Sequence, residues 1–208
     1  MNIDFETYAL ESDNFIRMET IKKQIVLAHS STTHENMISK WYNRLNNIYT
    51  KTAAFSIKKD GTIYQHFDPI YCSNFLDTID LNKKSIIILL ENEGWLAKHF
   101  EKDEYINWYG NIYNNPDEVV EIKWRKRIYW VPYTSEQYES TLFLVNKLCD
   151  DFFIPKVVTQ NNILVDNLND YTGVLYRSNL TQRYTDLNPT WKFESFKYNL
   201  EKNEQENT

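Results

Sequence analysis

The sequence predicts an α/β domain on three observations. Short β-branched and aliphatic runs alternate with longer runs of helical periodicity. An Asp-Gly turn joins two alternating segments into a hairpin. One run, Lys84 to Glu91, is hydrophobic on both faces, as a central strand is. With 208 residues, 42% of them apolar and 15% aromatic, the chain is long enough for one well-filled core and is no disordered tail.

Residues 1 to 20 are polar and mixed, an N-terminal extension expected to lie on the domain. Lys22-Lys23-Gln24-Ile25-Val26-Leu27-Ala28 reads as a short buried strand. Thr32 or Thr33 can cap a helix whose apolar positions are Met37, Trp41, Tyr42 and Leu45. Ala53 to Gln65 is the hairpin, turning at Asp60-Gly61, and Lys84 to Glu91 follows as the central strand. An aromatic-rich insertion is expected at about 100–133, with Trp108, Tyr109, Trp124 and Trp130 and turns at Asn114-Asn115-Pro116. These rings suit either a sugar- or partner-binding face or the insertion's own core. Thr134 and Gln137 have capping-box spacing, opening a helix with the stripe Tyr138, Leu142, Val145 and Leu148 that ends near Asp151. Gly173 to Tyr176 is the last strand, the domain closes near residue 198, and residues 199–208 are expected to fray.

Composition removes several classes of function. A net charge of −6 argues against a general nucleic-acid binder, and the Lys123–Arg127 cluster suits a solvated strand edge. Two cysteines make no disulfide framework, and Cys149 falls on the apolar side of a helix as a buried thiol. The first residues lack the basic and apolar regions of a secretory signal, and the longest apolar run, Ile86 to Leu90, is too short for a bilayer. A cytoplasmic protein without membrane contact is expected, inside a host cell if the chain is viral. Four glycines beside many Asn, Lys, Ile and Tyr fit the AT-rich genomes of many tailed phages. No Gly-rich phosphate loop, Cys-x-x-Cys or Gly-x-Ser-x-Gly element occurs.

Five segments, in order, resemble the zinc-dependent N-acetylmuramoyl-L-alanine amidases and the related peptidoglycan recognition proteins. Ile25-Val26-Leu27-Ala28-His29-Ser30-Ser31 is similar to that family's first strand, and Phe55 to Gln65 to its Asp-Gly hairpin. Ser85 to Asn92 is similar to its Ser-Ile-Gly-Ile-Glu-Leu-Glu-Asn strand, and Pro132 through Pro155 to its long helix. Gly173 to Leu180 with Thr185-Asp186-Leu187-Asn188-Pro189 resembles its last strand and the Thr-Asp-Pro-Gly loop. The resemblance implies a central mixed sheet flanked by helices, with a cleft at the strand ends where zinc is held.

Position by position, the resemblance implies that this zinc chemistry is degraded. Such an enzyme needs three protein ligands and an open position for water. The first ligand falls on Ala28. His29 is next to it and points to the opposite face of a strand unless a bulge re-aims it. The second ligand falls on Arg177, a fixed cation that repels zinc, and only Asp186 is retained. The glutamate base falls on Leu89, with Glu91 two residues along, and a lysine near the third ligand falls on Tyr184. The substrate loop is replaced by Cys72-Ser73-Asn74-Phe75.

The expected function is therefore non-catalytic: a cleft binding a peptidoglycan fragment or another small anionic ligand, with no catalytic residues, metal or cofactor. Arg177, Asp186, Tyr184, His29, Tyr64, Asn74 and Glu91 are the candidate ligand-binding residues. Arg177 can instead form a salt bridge with Asp186 that stands in for zinc as a clamp. An active amidase using His29, Asp186 and zinc is the alternative enzyme reading. A virion or host-interaction protein, including one that sequesters a nucleotide signal, is the alternative binding reading. Carboxylates and phosphates both suit Arg177, so its charge does not choose between them.

Overall fold

A six-stranded sheet organises the computed structural model, which describes residues 1–44, 46, 49–99 and 101–205. Its strands are β1 (Ile3–Asp4), β2 (Gln24–His29), β3 (Phe55–Ile57), β4 (Ile63–Gln65), β5 (Ser85–Leu90) and β10 (Gly173–Tyr176), in spatial order β1-β4-β3-β5-β2-β10. The β3–β4 hairpin is antiparallel and every other pairing is parallel, so the sheet is mixed. All six residues of β2 and all six of β5 are buried, which explains why their sequences carry no polar alternation. Gln24 is tolerated there because its amide donates to the Leu168 and Tyr171 carbonyls and accepts from Ser85 Oγ.

Helix α1 (His34–Asn43) follows β2, capped by Thr33, whose hydroxyl accepts from Asn36 N. Met37 and Trp41 are buried as the periodicity predicts, Tyr42 is half-buried, and Leu45 lies outside the described residues. A short helix α2 (Ile79–Lys84) runs into β5. Helix α3 (Ser135–Phe152) opens with the capping box formed by Thr134 and Gln137. Its buried face is turned from the predicted stripe: Ser140, Thr141, Leu144, Val145, Leu148 and Cys149 are buried, while Tyr138 and Leu142 are half-buried. Gln137 belongs to that buried face, its amide donating to the Glu91 carbonyl at 2.8 Å.

Three expectations differ from the structure. The first residues do more than lie on the domain, because β1 extends the main sheet by parallel pairing with β4. The tail does not fray at residue 199. Helix α4 (Phe193–Gln205) runs through it, with Phe196 and Leu200 wholly buried at helical spacing. The insertion begins earlier than residue 100, as a second antiparallel sheet of β6 (Trp95–Lys98), β7 (Tyr105–Ile106), β8 (Val120–Trp124) and β9 (Arg127–Trp130), ordered β7-β6-β9-β8. Trp130 is its wholly buried ring, donating to the Ile122 carbonyl, and Leu96, Tyr113 and Val131 form a small cluster. Trp108 and Tyr109 stay exposed. The rings thus divide between buried and exposed positions.

Candidate functional site: a cationic cleft at the strand ends

Strand register fixes what faces the cleft. Ala28 pairs with Leu89, and Leu89 with Ser56, so these three share one face of the sheet. Tyr176 pairs with Leu27, which brings Arg177 in the next position beside Ala28. Leu89 lines the cleft and Ala28 is fully buried beneath it. The four positions where the resemblance puts two zinc ligands, a proton acceptor and a lysine hold Ala28, Arg177, Leu89 and Tyr184.

Arg177 is held from three sides. Its guanidinium lies 3.8 Å from the Tyr184 ring centre and 4.6 Å from that of Phe75, and Nη1 donates to Asp186 Oδ2 at 3.4 Å. Stacking between two rings suits the planar, weakly hydrated guanidinium, and a lysine would not reproduce it. Asp186 is 2% exposed and also accepts from the His29 backbone N–H at 3.3 Å. The Arg177–Asp186 ion pair that the sequence allowed is therefore formed. Tyr184 donates to Asp77 Oδ1 at 2.7 Å, and Asp77 pairs with Arg183 at 2.7 Å. These two bonds anchor the outer edge of the stack; burial pushes the Asp77 carboxyl up, but the hydrogen bonds from Tyr184 and Arg183 together with the arginine charges hold it below its ordinary value.

The loop carrying these residues is latched by the insertion. Arg125 and Lys126 form the two-residue turn between β8 and β9, both with positive φ (45° and 64°). Neither is a residue that favours this region. Arg125 turns its guanidinium into the loop, donating to the Ser178 carbonyl (2.9 Å), the Thr181 carbonyl (3.1 Å), the Tyr184 carbonyl and Asn162 Oδ1 (3.0 Å). One side chain thereby ties together the segment from Arg177 to Tyr184.

The other candidates divide. His29 is at the cleft rim but its ring turns toward Tyr133, 3.4 Å from Nδ1 to Oη, and toward Gly94. Gly94 has φ +80°, and a Cβ there would lie 2.7 Å from His29 Cε1, so the ring's position depends on that glycine. Burial holds the His29 imidazole below its usual range; Asp186 opposes this and Arg177 adds to it. Glu91 accepts from the backbone N–H of His34 and of Lys59, both at 3.0 Å, and so anchors the start of α1. Asn74 is exposed, with its backbone N–H bonded to the Thr50 carbonyl. Tyr64 lies against Tyr8 and His34. The structure thus brings Arg177, Asp186 and Tyr184 together, sets His29 at their edge, and holds Tyr64 and Glu91 in other contacts.

Tyr64 covers a buried chain of hydrogen bonds. His66 Nδ1 faces the Tyr8 carbonyl at 2.9 Å and must carry the proton there, so its Nε2 accepts from Ser56 Oγ at 2.7 Å. Ser56 in turn accepts from His34 Nε2 at 2.9 Å, leaving His34 Nδ1 without a partner among the described residues. All three side chains are buried, which fits a structural clamp between strand, helix and extension.

Of the remaining lining, Phe75, Trp108 and Tyr109 stand in segments that the sequence singled out, whereas Lys40 on α1, Arg44 just past its end, Tyr49 and Lys51 were missed. The i, i+4 spacing of Lys40 and Arg44 was a visible signal, since like charges so placed repel one another.

Fold and site together define an amidase-type α/β domain whose strand-end cleft is cationic. A family model described as N-acetylmuramoyl-L-alanine amidase matches residues 18–171. The chain belongs to that family. Among solved structures, it is similar to the N-acetylmuramoyl-L-alanine amidase LysC of Clostridium intestinale (16% identity, TM-score 0.52, 96% of this chain and 97% of that one). It is also similar to AmiD of E. coli in complex with an anhydro-muramyl tripeptide substrate (12% identity, TM-score 0.53, 93% and 66%). A third is AmpDh3 of Pseudomonas aeruginosa in complex with anhydromuramic pentapeptide (11% identity, TM-score 0.54, 96% and 66%). At these identities the likeness is one of fold. No curated protein matches the sequence.

The family resemblance implies zinc, and the donor set does not fit it. At the implied ligand positions stand a methyl group, a guanidinium and one carboxylate already paired with that guanidinium. Among the described residues no group of three or more His, Cys, Asp or Glu side chains is arranged to hold a metal ion. No helix among them is long and apolar enough to cross a membrane.

Proposed function

We propose that this protein is a non-catalytic member of the amidase family whose cleft binds a peptidoglycan fragment or another small anionic ligand. The observation that carries the reading is Arg177, a stacked and oriented guanidinium in the position where the resemblance implies a zinc-binding histidine. Leu89 at the position of the proton acceptor supports it, because a hydrocarbon moves no proton. The cleft is open to solvent and encloses about 190 Å³, room for part of a small ligand with the rest outside it. Two relatives of the same fold carry muramyl peptides in their solved structures.

Recognition follows from charge and shape. Asp186 and the two rings fix the guanidinium plane, so an incoming carboxylate meets a donor that has already lost its rotamer freedom. The test is the melting temperature of the protein with a soluble muramyl tripeptide, for wild type and Arg177→Gln. A ligand at one hundred times its Kd adds about 2.7 kcal/mol, or roughly 5–10 °C for a domain of this size. The shift should vanish in the variant. No shift in wild type with any muramyl peptide would remove that ligand assignment.

A further inference from the structure

Beyond Arg177, the opposite wall of the cleft holds an unclaimed positive charge. Lys40 on α1, Arg44 just past its end and Lys51 line the same cleft, whose lining around them includes no carboxylate, although Lys51 also borders the adjoining cavity that Glu93 and Asp186 line. Among the described residues, none of the three has a carboxylate within ion-pair distance. Lys40 Nζ instead sits 3.1 Å from the centre of the Tyr109 ring and Arg44 lies 5.3 Å from that of Tyr49. Three cations without carboxylate partners on one wall, in a chain whose net charge is −6, make a local positive field that would attract a polyanion.

The insertion supplies a flat lip over this wall. Asn107 Oδ1 accepts from the backbone N–H of Tyr109 and of Asn111, both at 3.0 Å, and the Asn107 amide donates to Glu93. That turn presents Trp108, 62% exposed, and Tyr109, 43% exposed, to the cleft. Trp108 is steadied edge-on by Trp95 at 6.1 Å, and Arg127 stacks on Trp95 at 3.6 Å. An exposed indole on a braced turn is a stacking platform for a planar ring.

We propose that the Lys40–Arg44–Lys51 wall is a phosphate subsite and that the cleft takes a nucleotide, its phosphates on this wall and its base against Trp108 and Tyr109. This rests on the reading of the Arg177 cleft as a ligand site and names the class of ligand. A stem peptide offers single carboxylates spread along a chain. Adjacent phosphates offer several charges within a few ångströms, which is what three clustered cations match.

Calorimetric titration of the whole protein tests this with four probes: ATP, a cyclic dinucleotide, inorganic pyrophosphate and a muramyl tripeptide. The proposal expects at least one nucleotide to bind, more tightly than pyrophosphate. The double variant Arg44→Glu/Lys51→Glu, both at exposed positions, should weaken it at least tenfold with the unliganded melting temperature unchanged. Trp108→Ala should weaken the nucleotide and leave pyrophosphate unaffected. Pyrophosphate binding as tightly as both nucleotides would overturn the base subsite. Nucleotide binding insensitive to the double variant would overturn the phosphate subsite. Binding of the muramyl tripeptide alone would overturn the nucleotide class and leave the anionic-ligand reading standing. Binding of none of the four would remove both.

Discussion

Replacing Arg125 by alanine tests the idea that the insertion holds the cleft loop in shape. The guanidinium makes four hydrogen bonds, three of them to main-chain carbonyls of residues 178, 181 and 184. A hydrogen bond to a charged group contributes about 1.5–3 kcal/mol when well buried. Arg125 is half-buried, so about 1 kcal/mol for each carbonyl bond is the appropriate scale, near 3 kcal/mol in all. Alanine keeps the left-handed backbone penalty at φ 45° and gains nothing in return. For a domain of this length that loss corresponds to a fall of roughly 6–12 °C in melting temperature. Differential scanning calorimetry measures it, with Arg125→Lys as the control for charge: lysine keeps the cation but loses the fork, and should recover less than half of the loss. Asn162→Ala, which removes one bond, should cost about 1 kcal/mol. A fall below 2 °C for Arg125→Ala would refute the latch.

Three further outcomes follow from packing and titration. Leu200→Ala should destabilise by about 2–5 kcal/mol in urea denaturation, because Leu200 is wholly buried; a frayed tail would show no effect. Gly94→Ala should cost about 1–3 kcal/mol and displace the His29 ring, seen as a shift of its imidazole resonances, since a Cβ would meet that ring at positive φ. Burial pushes His66 down from 6.5 to about 4, its bond to Tyr8 opposing this in part. A depressed histidine leaves stability intact above pH 6.5 and removes it as pH falls toward 4, where the unfolded chain alone takes up the proton. The loss is roughly 3 kcal/mol across that window, with His29 and His34 displaced in the same direction. Melting temperatures from pH 7 to 4.5 should therefore fall in wild type and fall less in His66→Gln.

Much of the fold was legible because local and global signals agree in the core strands. Gln24–His29 and Ser85–Leu90 are apolar on both faces and pair side by side at the sheet centre. Thr33 and Thr134 cap the helices that their spacing announced. Register arithmetic set Ala28, Leu89 and Arg177 side by side, but it did not take His29 out of the cleft: His29 lines it with Arg177 while its ring turns toward Gly94 and Tyr133. What stayed hidden depends on contacts far apart in sequence. Helix α4 looks polar because its buried side is narrow, and Phe196 and Leu200 disclose it only once α3 is beside them. Glu91 resembled a site carboxylate, yet it anchors backbone N–H groups of Lys59 and of His34 at the start of α1. Arg125 resembled a surface charge, because nothing in Lys123–Arg127 reveals that the hairpin tip meets residues 178–184. The cationic wall combines a helix, the segment after it and an insertion loop, and no spacing rule links those three.

The measurement that bears most directly on the central claim is metal content by elemental analysis, on protein purified without an affinity tag, loaded with excess zinc and then dialysed. A site made of Arg177, Ala28 and an already paired Asp186 predicts far less than one zinc per chain. About one zinc per chain, lost together with Asp186→Ala, would contradict the account and return the cleft to metal-dependent amide hydrolysis.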